Sequence, residues 1–302
     1  MIKMRLSYYP GCTLKQYAKN FEKSTLVTAE ILGIELVELP RWNCCGAVAS
    51  LTSDNLMYHI GAVRNLVRVE NMIFAGEISD NRLVTLCSMC FNVLKRSNKR
   101  FREDDDMRER INMYLERDGE NRYGGGVEVV HFLEILRDEI GFENIKKKVV
   151  KNLGNLKISP YYGCTLLRPR EIGIDDPEEP KIMENLVTAL GGKVVENPYK
   201  KFCCGNYYTL GKNKKIVVER TRKIIEAARK FGADLIITSC PLCQFNLDRR
   251  QELVKEYYPK FKYMPVLYFT QLMAIAFGSI EEAGLEDNFV NPIDLLKDKG
   301  VI

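Results

Sequence analysis

Ten cysteines dominate the chemistry available to this sequence. They form two sets of five: Cys12, the pair Cys44–Cys45, and Cys87 with Cys90, then Cys164, the pair Cys203–Cys204, and Cys240 with Cys243. The single cysteine and the pair are separated by 31 residues in the first set and 38 in the second; pair and CxxC are separated by 41 and 35. Thiolates are soft donors that select iron–sulfur clusters, zinc or copper(I). Structural zinc takes four ligands, and [2Fe–2S] and cubane [4Fe–4S] clusters normally take four cysteines. Five is one more than any of these needs. The surplus points to an opened cluster in which one cysteine bridges irons, or to an ordinary cluster beside a spare reactive thiol. Two zinc sites stapling small domains are the plainer alternative. A disulfide framework belongs to an oxidising compartment. A CxxC alone would suit a redox dithiol, and Pro241 between Cys240 and Cys243 is compatible with that, but three further cysteines accompany each CxxC.

The residues around the cysteines repeat as well. Tyr8-Tyr9-Pro10-Gly11-Cys12 echoes Pro160-Tyr161-Tyr162-Gly163-Cys164, Cys44-Cys45-Gly46 echoes Cys203-Cys204-Gly205, and His131-Phe132-Leu133 stands where Tyr268-Phe269-Thr270 stands later. The chain therefore reads as two copies of one unit, with domains over 1–150 and 151–302. The first copy carries an extra charged segment, Asn98 to Gly126, expected as a peripheral helix and loop.

Within each copy, strand-like and helix-like runs alternate. Strands are expected over Lys3–Tyr8, Ile34–Leu39 and Leu83–Leu86, with helices over Tyr17–Leu32 and Asn55–Ala75. The second copy repeats this: strands over Leu156–Tyr161, Lys193–Glu196 and Leu235–Thr238, and helices over Pro180–Leu190 and Lys214–Phe231. Such alternation implies parallel βαβ units, so the fold class is α/β: two duplicated domains, each a small parallel sheet with flanking helices. Cys12, Cys44–Cys45 and Cys87 each follow a strand, so all reach the carboxyl edge of one sheet, where open α/β sheets bind ligands at a switch in strand order. Helices starting after Cys90 and Cys243 would aim backbone N–H groups there.

Composition narrows the class. An apolar content of 46% supports packed cores, and 28% charge with only 11 prolines argues against disorder. The net charge of +5 is spread along the chain, so no nucleic-acid partner is expected. There is no run of 18 apolar residues and no signal-like start, so no membrane span is expected and the cytoplasm is the expected location.

Two sets of Cys, Cys-Cys-Gly and Cys-x-x-Cys at these spacings resemble the paired cysteine-rich CCG domains of the heterodisulfide reductase B-type subunits, over almost the whole chain. The resemblance implies two noncubane [4Fe–4S] clusters, one per half, with all ten cysteines as ligands. It implies cleavage of a disulfide lying between the clusters, the mixed disulfide of coenzyme M and coenzyme B in methanogens. It also implies a ferredoxin-like [4Fe–4S] partner subunit and behind it a flavin subunit, since this chain has no CxxCxxCxxxC run of its own. Gly46 follows the first pair where methanogen members often carry proline, which leaves open a related complex of sulfur-compound oxidation. A pure electron-relay module of a dehydrogenase is the remaining reading of the family kind.

Acidic substrate groups would need cations. Arg168, Arg170, Lys200 and Lys201 lie beside the second motifs and are the candidate anion contacts, with Lys15 and Arg41 beside the first. For each, a solvated surface charge is the alternative. His59 reads as a surface or packing residue, and His131 as the start of a helix near the first set. Trp42 reads as a shield, and the tyrosine pairs as core.

Overall fold

The computed structural model describes residues 4–47, 51, 53, 55–209, 211 and 213–302. Its contacts divide into two compact units, Met1–Tyr17 with Gly33–Ile135, and Ala18–Leu32 with Leu136–Ile302.

The first unit is built on a parallel sheet of β1 (Met4–Tyr9), β2 (Ile34–Glu38), β3 (Arg82–Thr85) and β4 (Glu128–His131), in the order β2-β1-β3-β4. Register is set by pairs such as Leu6↔Leu36, Tyr9↔Thr85 and Thr85↔His131. The second unit repeats it with β5 (Lys157–Tyr161), β6 (Lys193–Val194), β7 (Leu235–Thr238) and β8 (Val266–Tyr268), in the order β6-β5-β7-β8. Both are α/β sheets of the expected kind. Lys3, expected to open the first strand, lies outside the described residues. The central strands are buried almost throughout, as parallel strands covered on both faces must be.

Two features differ from the sequence expectation. Each sheet gains a fourth strand, β4 or β8, only four and three residues long. Such short apolar runs carry too little periodicity to separate from the helix that follows them. His131 and Tyr268 are the last residues of these strands and also N-cap the next helix, each in a reciprocal capping box with Glu134 or Gln271. The helices near the CxxC motifs also begin earlier than expected. They run from Ser88 and Pro241, directly after Cys87 and Cys240, so Cys90 and Cys243 sit in the first turn. Neither capping cysteine makes a side-chain cap hydrogen bond, so no ordinary cap residue signalled the start.

The expected Tyr17–Leu32 helix runs over Lys19–Ile31, and a short helix, Gly11–Tyr17, precedes it. The Lys19–Ile31 helix packs within the unit made mostly of the later half. Phe21 stacks on Tyr268 at 4.1 Å between ring centroids and meets Phe269 edge-on at 5.8 Å. Ser24 Oγ lies 2.7 Å from Thr270 Oγ1. The inserted segment forms the helix Asp105–Arg117, capped by Asp104 through Met107 N, and then a glycine-rich loop. It is seated more firmly than a peripheral segment need be, with Met107, Ile111, Leu115 and Tyr123 all buried.

Because Phe21 is fully buried between two aromatic rings, Phe21→Ala should destabilise the second unit by about 3–5 kcal/mol. Earlier urea unfolding, with faster amide exchange in the Phe269–Ala276 helix, would register the loss.

Candidate functional site

The strand order reverses direction between β1 and β3, and between β5 and β7. The three cysteine-bearing segments of each unit leave the sheet at the carboxyl ends around that reversal, where a crevice forms in sheets of this type.

Within each unit the five sulfurs are joined in sequence. Cys12 Sγ lies 3.9 Å from Cys44 Sγ, and Cys45 Sγ lies 3.4 Å from Cys90 Sγ. The proton affinities of Cys45 and Cys90 also respond to Cys44 and Cys87 respectively, which links the set as Cys12–Cys44–Cys45–Cys90–Cys87. The second unit runs Cys164–Cys203–Cys204–Cys243–Cys240, in the same order of motif positions. All ten are free of disulfides. The last three members of each chain, Cys45, Cys87 and Cys90 or Cys204, Cys240 and Cys243, are buried. Cys12 and Cys44 are exposed, and Cys164 and Cys203 are half-buried. Each site thus has a closed inner side and an accessible outer side.

Packing like-charged groups together splits their proton affinities. Cys203, which receives hydrogen bonds from Cys164 and Cys204, is lowered to about 2. Cys45 is likewise held well below the ordinary thiol value by its hydrogen bonds with Cys44 and Cys90. Their neighbours move the other way. Cys90 and Cys243 are pushed up by their hydrogen bonds with neighbouring sulfurs and by burial. Five thiolates together would need compensating cations among them. Among the described residues no three His, Cys, Asp or Glu side chains are arranged around a point for a single metal ion. The sulfurs instead meet in pairs along a path.

The backbone accommodates these sulfurs by leaving side chains out. Gly11 has φ +75°, and a Cβ there would stand 3.2 Å from Cys90 Sγ and 3.2 Å from the Tyr9 ring. Gly163 has φ +68°, and its Cβ would stand 3.2 Å from Cys243 Sγ. A left-handed turn against a sulfur admits glycine and little else. Thr85 and Thr238, each two residues before a CxxC, are fully buried, and among the described residues their hydroxyls have no hydrogen-bond partner. The same orphan in both units fits a bound inorganic group with acceptor atoms. Soft donors in fives, the side-chain-free cradles and these orphaned hydroxyls together fit a sulfide-containing cluster.

Sequence reasoning missed the residues that hold the Cys-Cys loops. Tyr9 ends β1 and its hydroxyl donates to Asn43 O at 2.9 Å. Tyr161 ends β5 and its hydroxyl donates to Phe202 O at 2.5 Å. Each carbonyl belongs to the residue just before the pair. Both tyrosines keep their protons strongly, through burial first and the neighbouring sulfurs second. The repeated Tyr-x-Gly-Cys spacing was visible, but a hydroxyl partner more than thirty residues away was not. Trp42 lies edge-on to Tyr9 at 6.0 Å and donates to Glu38, a supporting place beside the first loop.

The candidate cations are all already paired. Arg168 reaches Glu178 at 2.8 Å and Arg170 reaches Asp176 at 3.0 Å, both at exposed positions. Lys201 also binds Glu178, at 2.8 Å. Lys200 is buried, bound to Glu184 at 2.6 Å, and Glu184 in turn accepts from the Tyr162 hydroxyl. Its backbone carbonyl receives Tyr162 N and Gly163 N, so Lys200 braces the turn into Cys164. Lys15 binds Glu38 at 2.6 Å, and Arg41 lies 4.0 Å from Glu120. His59 is buried with Nδ1 2.8 Å from Ser97 Oγ. His131 accepts Leu133 N at Nδ1 and faces Leu86 O from Nε2, which assigns its proton to Nε2. Both histidines have structural partners.

Comparison with known proteins agrees with the duplication. The sequence model of the cysteine-rich CCG domain family matches twice, at residues 6–95 and 158–248. The chain is 33% identical to the 8-methylmenaquinol:fumarate reductase membrane anchor subunit of Wolinella succinogenes, over 97% of this chain and 100% of that one. It is 30% identical to the B-type subunit of the ferredoxin:CoB-CoM heterodisulfide reductase of Methanosarcina mazei, over 97% of this chain and 96% of that one. Among solved structures, a hypothetical protein from Helicobacter pylori superposes with a TM-score of 0.71 at 12% identity, over 95% of this chain. This chain spans 53% of that one, and the likeness speaks for the fold alone. No helix among the described residues is long and apolar enough to cross a membrane.

Removing the Tyr161 hydroxyl takes away the donor to Phe202 O, whereas Asn43 O keeps Asn65 Nδ2 at 3.0 Å when the Tyr9 hydroxyl is removed. Tyr161→Phe should cost about 1–2 kcal/mol and Tyr9→Phe less, measured by urea denaturation, with Tyr→Leu at either position costing more.

Proposed function

This chain belongs to the cysteine-rich CCG domain family, and we propose that it is the iron–sulfur subunit of a heterodisulfide reductase-type complex that cleaves a small disulfide. The observation that carries this reading is the same set of five free cysteines in both units, with the last three buried and a CxxC sulfur against the glycine before the first. We assign one [4Fe–4S] cluster of noncubane form to each unit, with Cys12, Cys44, Cys45, Cys87 and Cys90 as ligands in one and Cys164, Cys203, Cys204, Cys240 and Cys243 in the other. When bound, the two clusters supply one electron each and offer iron to sulfur.

The chain's own residues account for the remaining requirements. Reducing a disulfide consumes two electrons and two protons and yields two thiols. A duplicated unit provides two one-electron centres in a single polypeptide. The buried cysteines anchor each cluster away from water, and the more exposed Cys12, Cys44, Cys164 and Cys203 line the side open to substrate. Tyr9 and Tyr161 hold the Cys-Cys loops in place. Arg168 and Arg170 are the proposed anion contacts, because their partners Glu178 and Asp176 are exposed and exchangeable. Lys201 shares Glu178, while Lys200 is committed to Glu184 inside the fold. A ferredoxin-like [4Fe–4S] subunit and a flavin subunit are the proposed electron partners. Ten free thiols favour a reducing compartment, so the cytoplasm is the proposed location.

A second reading is favoured by one observation: a relative 33% identical over its entire length is named as a subunit of a fumarate reductase. In that reading the chain relays electrons and has no sulfur substrate of its own.

Anaerobically purified protein should contain about eight irons per chain; about two zincs and no iron would instead establish a stapled scaffold. Adding a thiol or a mixed disulfide to the oxidised protein should produce a new paramagnetic signal. No response to either compound would transfer the assignment to the relay reading.

A further inference from the structure

We propose that Arg68, held by Glu120 of the inserted segment, is a positioning residue for the Cys44–Cys45 loop, a support that the second unit builds from other residues. This deepens the iron–sulfur reading, on which only its spectroscopic consequence rests.

The inserted segment docks along one face of the Met57–Phe74 helix. Arg64 pairs with Asp118, Arg68 with Glu120 at 3.3 Å, and Asn71 accepts from Asn121 at 2.7 Å. Residues 64, 68 and 71 share a face at i, i+4 and i+7. Glu70 adds bonds from Gly124 N and Gly126 N at 2.9 and 3.0 Å. The Arg68–Glu120 pair is nearly enclosed, with side chains 9% and 11% exposed. From there Arg68 reaches the loop. Its Nη1 donates to Arg41 O and, at 3.0 Å, to Asn43 Oδ1. Arg41 is the one non-glycine with positive φ, +49°, among the described residues. A strained residue of that kind persists only where its surroundings hold it. Asn43 passes the constraint on, donating through Nδ2 to Cys44 O at 3.0 Å and to Gly61 O at 2.8 Å. Cys44 and Cys45 follow directly.

The second unit is built differently at the equivalent place. Gly76 and Gly232, both left-handed, close the equivalent helices. Eight residues before each stand Arg68 and Ile224, and Ile224 is buried and apolar. Its Cys-Cys loop is instead supported by neutral Asn246, whose Nδ2 lies 3.4 Å from Cys204 O. The Arg68–Glu120 pair therefore accompanies the insertion, whereas the buried cation before the second pair, Lys200, is held by Glu184 of its own unit.

The test uses the full chain, metal-free and reduced, with iodoacetamide and peptide mass spectrometry. Cys204 serves as the internal control for Cys45. Arg68→Met should speed alkylation of Cys45 relative to Cys204 roughly tenfold, since charge-assisted bonds restrain local opening. Arg68→Lys should recover part of the protection, and Glu120→Gln should act in the same direction as Arg68→Met but less. An unchanged ratio in both Arg68→Met and Glu120→Gln, or equal acceleration at both cysteines, would overturn the proposal. In iron-loaded protein, Glu120→Gln leaves Arg68 uncompensated and should raise the potential of one centre while sparing the other; equal shifts would also overturn it. If the chain binds no iron, the iron–sulfur reading fails and the alkylation ratio still decides the role of Arg68.

Discussion

In both units a sulfur of the CxxC motif presses against the glycine that precedes the first cysteine, and the rest of the unit is arranged around that approach. Gly11 and Gly163 must turn left-handed at a strand end and carry no side chain, because Cys90 Sγ or Cys243 Sγ occupies the space. The tyrosine two residues before lies against the same glycine in the one unit and the same turn in the other, and its hydroxyl reaches across to the Cys-Cys loop. One contact thereby ties together the ends of three strands. A parallel sheet makes this possible, since all its strands deliver their following loops to the same edge.

What the two copies share is what gathers sulfur. Strand order, the order of the sulfur path, the tyrosine latches and the capping box at the fourth strand recur. What they do not share is the support behind the Cys-Cys loops. The first copy uses Asn65 and the Arg68–Glu120 pair supplied with an insertion, and the second uses Asn246 and the Lys200–Glu184 pair. A buried charge pair sets geometry more than it adds stability. Two sites with equal donors can thus differ in the electrostatic setting of those donors. The Tyr162–Glu184–Lys200 cluster adds a further difference, bracing the turn into Cys164 from within the second unit.

The duplication, the two cysteine quintets, the parallel α/β class and most strand and helix positions were legible in the order of residues. These depend on spacing and local periodicity, which a linear chain displays directly; the strand over Leu235–Thr238 emerged with unchanged bounds. Folding in three dimensions settled the features whose partners are remote. The four-residue Glu128–His131 and three-residue Val266–Tyr268 become strands only because β3 and β7 offer edges to pair with. The Lys19–Ile31 helix shows an apolar face in sequence, but its partner rings Tyr268 and Phe269 lie about two hundred and fifty residues away. Lys200 looks like a surface cation beside a motif, and burial against Glu184 gives it a different task. Tyr9 and Tyr161 look like core aromatics, and only the folded chain shows where their hydroxyls go. A side chain's chemistry is local, whereas the group it meets is chosen by the path of the whole chain.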